Sequence, residues 1–145
     1  MKNEKVILIT FVIIITALCR FLPHPPNFTP VIALGILSVT LFKSKLNQFG
    51  FPLLMMFFTD LFLGFHSLIP FVYTGITLAG LTGYILKKQN SIINGIGCSL
   101  LSSIIFFVVS NFGVWITSSF YAKSLTGLIS CYIAAIPFFH NTVLS

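Results

Sequence analysis

The chain has 145 residues, of which 57% are hydrophobic and 7% charged, with a mean hydropathy of +1.05. Soluble domains carry about 25% charged residues, so this composition excludes an ordinary soluble fold and belongs to the membrane class. The net charge of +6 would suggest nucleic acid in a soluble protein, but here the basic residues lie mostly in short spacers between apolar runs, and nucleic-acid binding is set aside.

Six apolar segments follow one another, at 6–22, 31–46, 49–65, 68–86, 92–116 and 125–144. About 20 helical residues span a hydrocarbon core, so the last three are comfortable and the first and third suffice with snorkelling ends. The first follows MKNEK and has no small-residue cleavage site after it, so it reads as an uncleaved signal anchor. The second is short. Its core is 31–42, and Lys43 and Lys45 must snorkel for it to cross.

Charge decides the second segment. If all six cross from a cytoplasmic N-terminus, Lys2, Lys5, Lys43, Lys45, Lys87 and Lys88 lie inside and only Arg20 and Lys123 outside. If the second is re-entrant, only Lys2, Lys5 and Lys123 lie inside. The positive-inside rule therefore favours six crossings. The expected fold is an all-α, polytopic membrane protein, a single domain over 1–145 forming a six-helix transmembrane bundle with both termini cytoplasmic.

Three later segments carry small residues at four-residue spacing: Gly75, Ala79 and Gly83, then Ser91, Gly95, Ser99 and Ser103, then Thr126, Ser130 and Ala134. That spacing puts each set on one helix face, where backbones approach closely, and packing within the bundle is expected there. Cys19, Cys98 and Cys131 fall in three different segments without metal-type spacing and read as small apolar core residues.

Asp60 is the one acid beyond the N-terminal tail, inside the apolar run FGFPLLMMFFTDLFLGF. A carboxylate at such depth costs roughly 2.5–3.5 kcal/mol on insertion scales and persists only when paired, hydrated or used. The six-crossing topology brings it to the depth of Arg20, which closes the first segment. The two are expected to meet, either as a buried ion pair holding two helices or as part of a ligand site.

The same outer half gathers most side chains able to do specific chemistry. The candidate substrate-binding residues are Arg20, Asn27, Asp60, Tyr73, Asn111, Trp115 and Tyr132. Four prolines in 23–30 prevent a helix there and stiffen the segment as a cap carrying Asn27 and Thr29. The inner half offers mainly lysines and small residues. Pro137 is expected to kink the last helix, with His140 and Asn141 steadying the kink.

A metal held by His24, His66 and Asp60 lacks supporting spacing, and no cofactor is expected. One available acid excludes paired carboxylates, and neither a Ser-His-Asp order, a zinc-protease motif nor a Walker motif is present. An enzyme is not expected.

At LPHPPNFTPVIALG, TDLFLGFH, NFGVW and CYIAAIPFFHNT the chain resembles a family of small bacterial integral membrane proteins of unknown function, over most of its length. At fold level it is similar to the substrate-binding S components of energy-coupling-factor vitamin transporters. The resemblance implies a bacterial cytoplasmic membrane, six helices, an outward pocket capped by loops, and Asn27, Asp60, Asn111, Trp115 and Tyr132 near it. It also implies a membrane energy-coupling partner, although the first helix offers only Ala17 where S components carry small-residue motifs for that contact. Members of the resembled family continue a little beyond the position of Ser145. Two functions are thus expected to compete: a solute-binding transporter subunit or small transporter, and a non-catalytic structural or assembly protein.

Overall fold

The computed structural model describes residues 2–23, 25, 27–28, 30–89 and 91–144, without the side chains of 2–6 and 9. The predicted loop residues His24 and Thr29 lie outside the described residues. Among those described, all regular structure is helical: α1 (Lys2–Phe21), α2 (Val31–Leu41), α3 (Lys45–Leu63), α4 (Ile69–Gly80), α5 (Gly83–Lys88), α6 (Ile92–Thr117) and α7 (Leu125–Leu144). Four stretches are long and apolar enough to cross a membrane: Lys45–Leu63, Ile69–Lys88, Ile92–Thr117 and Leu125–Leu144. Thr10–Phe21 and Val31–Leu41 are shorter apolar helices.

The second segment ends before its predicted bound at 46, close to the end of its apolar core. Phe42 leaves the helix with ψ 147°, and Ser44, also extended, opens α3 four residues before the predicted start. Leu46, counted with the second segment, instead sits exposed on the first turn of α3. An α2 of 11 residues is about 16 Å long, roughly half a hydrocarbon core. It has no polar face to give to solvent, and Val31, Ile32, Leu34, Gly35, Ile36, Ser38 and Val39 are all buried. A helix apolar on every side belongs in the core, and α2 packs there against α3, α4 and α5.

Close approach makes that packing possible. A Cβ on Gly83 would lie 2.6 Å from the Ile36 carbonyl oxygen and 2.9 Å from Val39 Cβ, so only glycine fits where α5 crosses α2. Gly80 and Gly35 face each other one turn away. Between α4 and α5 the helix tightens at Leu81 and Thr82, whose N–H groups donate to carbonyls three residues back. Ser102 of α6 bonds both the Ala79 carbonyl (3.0 Å) and the Thr82 hydroxyl (2.7 Å), and the Cys98 thiol donates to the Thr82 carbonyl, so α6 is stitched to this break.

The first small-residue ladder lies in the interface: Gly75 against Phe106, Ala79 fully buried, Gly83 against α2. The other two lie mostly outside it, which corrects the expectation of packing along each whole ladder; Ser103, buried and donating to the Thr142 carbonyl of α7 (3.2 Å), is the exception. Ser91, Ser99, Thr126, Ser130 and Ala134 are exposed, and a Cβ on Gly95 would meet nothing. The other buried positions are offset from the ladders by one residue, at Cys98 and Ser102 on α6 and at Gly127 and Cys131 on α7. Four-residue spacing marks a face but not which face a neighbour covers.

Successive rods run in alternate directions. The end of α1, the end of α3 and the start of α4 meet at one level through Arg20, Asp60 and Tyr73. At the opposite level the end of α2, the start of α3 and α5 meet through Phe42, Gln48, Tyr84 and Lys87. There Gln48 donates to the Phe42 carbonyl (2.8 Å), Tyr84 donates to Gln48 Oε1 (2.5 Å), and Lys87 donates to the Val39 and Phe42 carbonyls (3.2 and 3.1 Å). These bonds satisfy the open C-terminal carbonyls of α2. The half expected to be inner therefore holds more than lysines and small residues: a second polar knot centred on the buried Gln48.

Candidate functional site

Asp60 lies one turn from the C-terminus of α3, where the helix dipole disfavours a negative charge, and it is 1% exposed. Both carboxylate oxygens are occupied. Arg20 Nη2, from the last turn of α1, pairs with Oδ1, and the Tyr73 hydroxyl of α4 donates to Oδ2 at 2.7 Å. The charges cancel, and three helices are tied at one point. Asp60 faces the bundle interior, as its cost in lipid requires.

Arg20 reaches this position with a side chain 14% exposed. Its Nη1 donates to the thioether of Met56, one turn below Asp60 on the same face of α3. Its Nε–H has no hydrogen-bond partner among the described residues. A guanidinium carries five N–H donors, and a thioether is a weak acceptor, so this buried cation is under-satisfied.

Beside the cluster lies a cavity of about 210 Å³ between α1, α2, α3, α4 and α6. Its polar wall is Arg20 together with Asn27 from the proline-rich loop. Asn27 adopts φ 62°, a left-handed conformation that asparagine tolerates better than other side-chain-bearing residues. The Phe28 N–H closes a turn on the Pro25 carbonyl beside it. The remaining wall is apolar: Val31 and Ile32 of α2, Met56 of α3, Val72 and Ile76 of α4, and Phe106 of α6, with Leu63 at the end of α3. Asp60 and Tyr73 stand behind Arg20 and are not part of the wall.

Asn111, Trp115 and Tyr132 do not line this cavity, which corrects their predicted grouping with Asp60. Asn111 donates to its own helix at the Phe107 carbonyl (2.8 Å), and Tyr132 donates to the Val108 carbonyl (2.7 Å), joining α7 to α6. Trp115 Nε1 donates to the Ala122 carbonyl (2.9 Å) across the α6–α7 loop. Lys123 Nζ bonds the Trp115 and Ser118 carbonyls and sits 5.7 Å from the Trp115 ring centroid. That lysine caps the C-terminus of α6, where a cation is favoured. These side chains share a depth with Asp60 but stand on another side of the bundle.

His66 is exposed and accepts the Leu68 N–H at 3.2 Å, a turn contact. His24, its proposed companion, lies outside the described residues. Among the described residues no three of His, Cys, Asp and Glu gather as a metal site would need. Residue chemistry singled out none of the apolar wall residues, Met56 and Phe106 among them. Met56 was within reach, since it lies four positions before Asp60 and so on the same helix face. Phe106 has no such signal, because its place follows from where α6 crosses α4.

This is an all-helical chain compatible with a helical membrane protein, carrying a buried ion pair beside a small, largely apolar cavity. Over residues 1–145 it matches, and belongs to, the family of unknown function DUF6580. No curated protein and no solved structure matches it.

Proposed function

We propose that the protein is a solute-binding membrane protein, acting as the substrate-binding subunit of a transporter or as a small transporter, with no catalytic step. The observation that carries this reading is a cavity of about 210 Å³ walled by apolar side chains plus Arg20 and Asn27, the few-polar-groups pattern of small-molecule sites. The bundle crosses six times in a bacterial cytoplasmic membrane, α2 making its crossing inside the protein with the help of its flanking loops. Both termini are cytoplasmic, and the cavity opens outward beneath the proline-rich loop. Charge supports this orientation. Lys43, Lys45, Lys87 and Lys88 lie at the end away from the cavity. At the cavity end Arg20 is neutralised by Asp60, and Lys123 is occupied as a helix cap. A membrane partner supplies the coupling energy.

A second reading has its own observation. Both oxygens of Asp60 are satisfied by protein groups, as structural glue between α1, α3 and α4 would require. In that case the protein is a non-catalytic assembly component, and the cavity is a packing gap.

One experiment separates the two. Wild type and Val72→Trp, which fills the cavity from α4, are purified from native membranes and compared by native mass spectrometry. A small molecule held by wild type and absent from the folded variant supports the solute site. The same adduct on both proteins, or none on either, favours glue.

A further inference from the structure

We infer that the cavity takes a neutral solute of one-ring size bearing a hydrogen-bond acceptor at one end. The inference rests on the solute-binding reading and adds the class of ligand. Size comes first. A cavity of about 150 Å³ holds benzene, and drug-sized sites begin near about 300 Å³, so about 210 Å³ accommodates a single ring with a short substituent.

The donor inventory of the wall sets the polarity. Asp60 takes Nη2 of Arg20, the Met56 thioether takes Nη1 weakly, and Nε–H has no acceptor among the described residues. A buried donor without an acceptor is unfavourable, and a small turn of the guanidinium toward the cavity relieves it once a ligand brings a carbonyl or ring nitrogen. Asn27 supplies a second group from the loop side, able to donate or accept. The other wall residues are apolar and fit the body of a ring.

Charge then decides between a neutral acceptor and an anion. Arg20 is already compensated by Asp60, so an anionic ligand would bring a net negative charge beside a 1%-exposed carboxylate. No other cation among the described residues lines the cavity, and Lys123 at the same end is bound to the Trp115 and Ser118 carbonyls. A cationic ligand would face Arg20 itself. The neutral acceptor is the form the site compensates.

Benzamide, benzoate and toluene present one ring with a neutral acceptor, an anionic acceptor and none. Each is titrated into the full chain in lipid nanodiscs and followed by methionine-methyl NMR, with Met56 as the reporter in the cavity wall. Benzamide is expected to bind about tenfold or more tighter than either of the others, the advantage of a hydrogen bond to a charged group. In the double variant Arg20→Gln/Asp60→Asn, which removes both charges and the guanidinium donors, that advantage shrinks to within a few fold of toluene. Should the double variant not fold, the ranking of the three probes on wild type still decides.

Benzoate binding tightest, or toluene matching benzamide on wild type, overturns the ligand class and leaves the solute-binding reading intact. If none of the three binds while native mass spectrometry finds a cavity-dependent adduct, the class alone is wrong. If neither probe nor adduct is found, both fall.

Discussion

Arg20 and Asp60, 40 positions apart in sequence, form a side-chain ion pair that joins the last turns of α1 and α3. The pair is buried, with side chains 14% and 2% exposed, so removing one partner strands the other in a poorly solvated place. Arg20→Met alone is expected to destabilise the protein by about 3–5 kcal/mol. The double variant Arg20→Met/Asp60→Leu is expected to regain most of that loss, because two packed apolar groups replace two buried charges. Thermal unfolding in one detergent across the full double-mutant cycle measures the coupling. A double-variant loss equal to the sum of the two single-variant losses would show that the charges do not depend on each other.

Tyr73→Phe tests the third member of the cluster. The hydroxyl donates to Asp60 Oδ2 at 2.7 Å, and its loss leaves one lone-pair face of a buried carboxylate without a donor. A cost of about 1–3 kcal/mol is expected, less than that of stranding Arg20, since the ion pair persists. The same substitution combined with Asp60→Leu is expected to cost almost nothing further. An undiminished Tyr73→Phe effect in the Asp60→Leu background would place the role of the hydroxyl elsewhere.

The sequence made the apolar segments and the Arg20–Asp60 encounter legible because both follow from one strong force. The bilayer excludes charge, so a lone acid and an arginine at equal depth must find each other. Depth, however, is only one coordinate. Asn111, Trp115 and Tyr132 share it with Asp60, yet the rotation of α6 and α7 about their axes turns them to the α6–α7 seam, and nothing in a uniformly apolar helix sets that rotation. The same blindness put most of the α6 and α7 ladders on the wrong face, Ser103 excepted. The end of α2 was missed because Lys43 and Lys45 were read as snorkelling ends of one helix, whereas the chain turns where Gln48 and Lys87 converge on the Phe42 carbonyl.

Two glycines on neighbouring helices are expected to respond oppositely to a methyl group. At Gly83 the added Cβ meets the Ile36 carbonyl at 2.6 Å and Val39 Cβ at 2.9 Å, both on the buried α2, so Gly83→Ala forces the helices apart. A loss of about 1–3 kcal/mol is expected from such overpacking. At Gly95 nothing lies within 4 Å, and Gly95→Ala is expected to be neutral or slightly stabilising through helix propensity. Comparing the two melting temperatures checks the pair. A destabilising Gly95→Ala would reveal a contact surface on the outer face of α6.

The last prediction concerns orientation, on which the solute reading depends. Antiparallel rods put Asn27 and the α6–α7 loop at the cavity end and the α5–α6 loop at the other. With Lys2, Lys5, Lys43, Lys45, Lys87 and Lys88 at that other end, the positive-inside rule assigns it to the cytoplasm. In a background with Cys19, Cys98 and Cys131 replaced by alanine, single cysteines are introduced at Asn27, Lys123 and Gln89. A membrane-impermeant maleimide added to intact cells is expected to label the first two and to reach Gln89→Cys only after permeabilisation. Lys123→Cys removes a helix cap, so Ser119→Cys in the same exposed loop serves as its control. External labelling at Gln89→Cys without labelling at Asn27→Cys would invert the bundle, put the cavity mouth in the cytoplasm and rule out uptake from outside. Labelling of Gln89→Cys together with Asn27→Cys on intact cells would mean that the rods do not all cross, leaving the short α2 as a re-entrant segment.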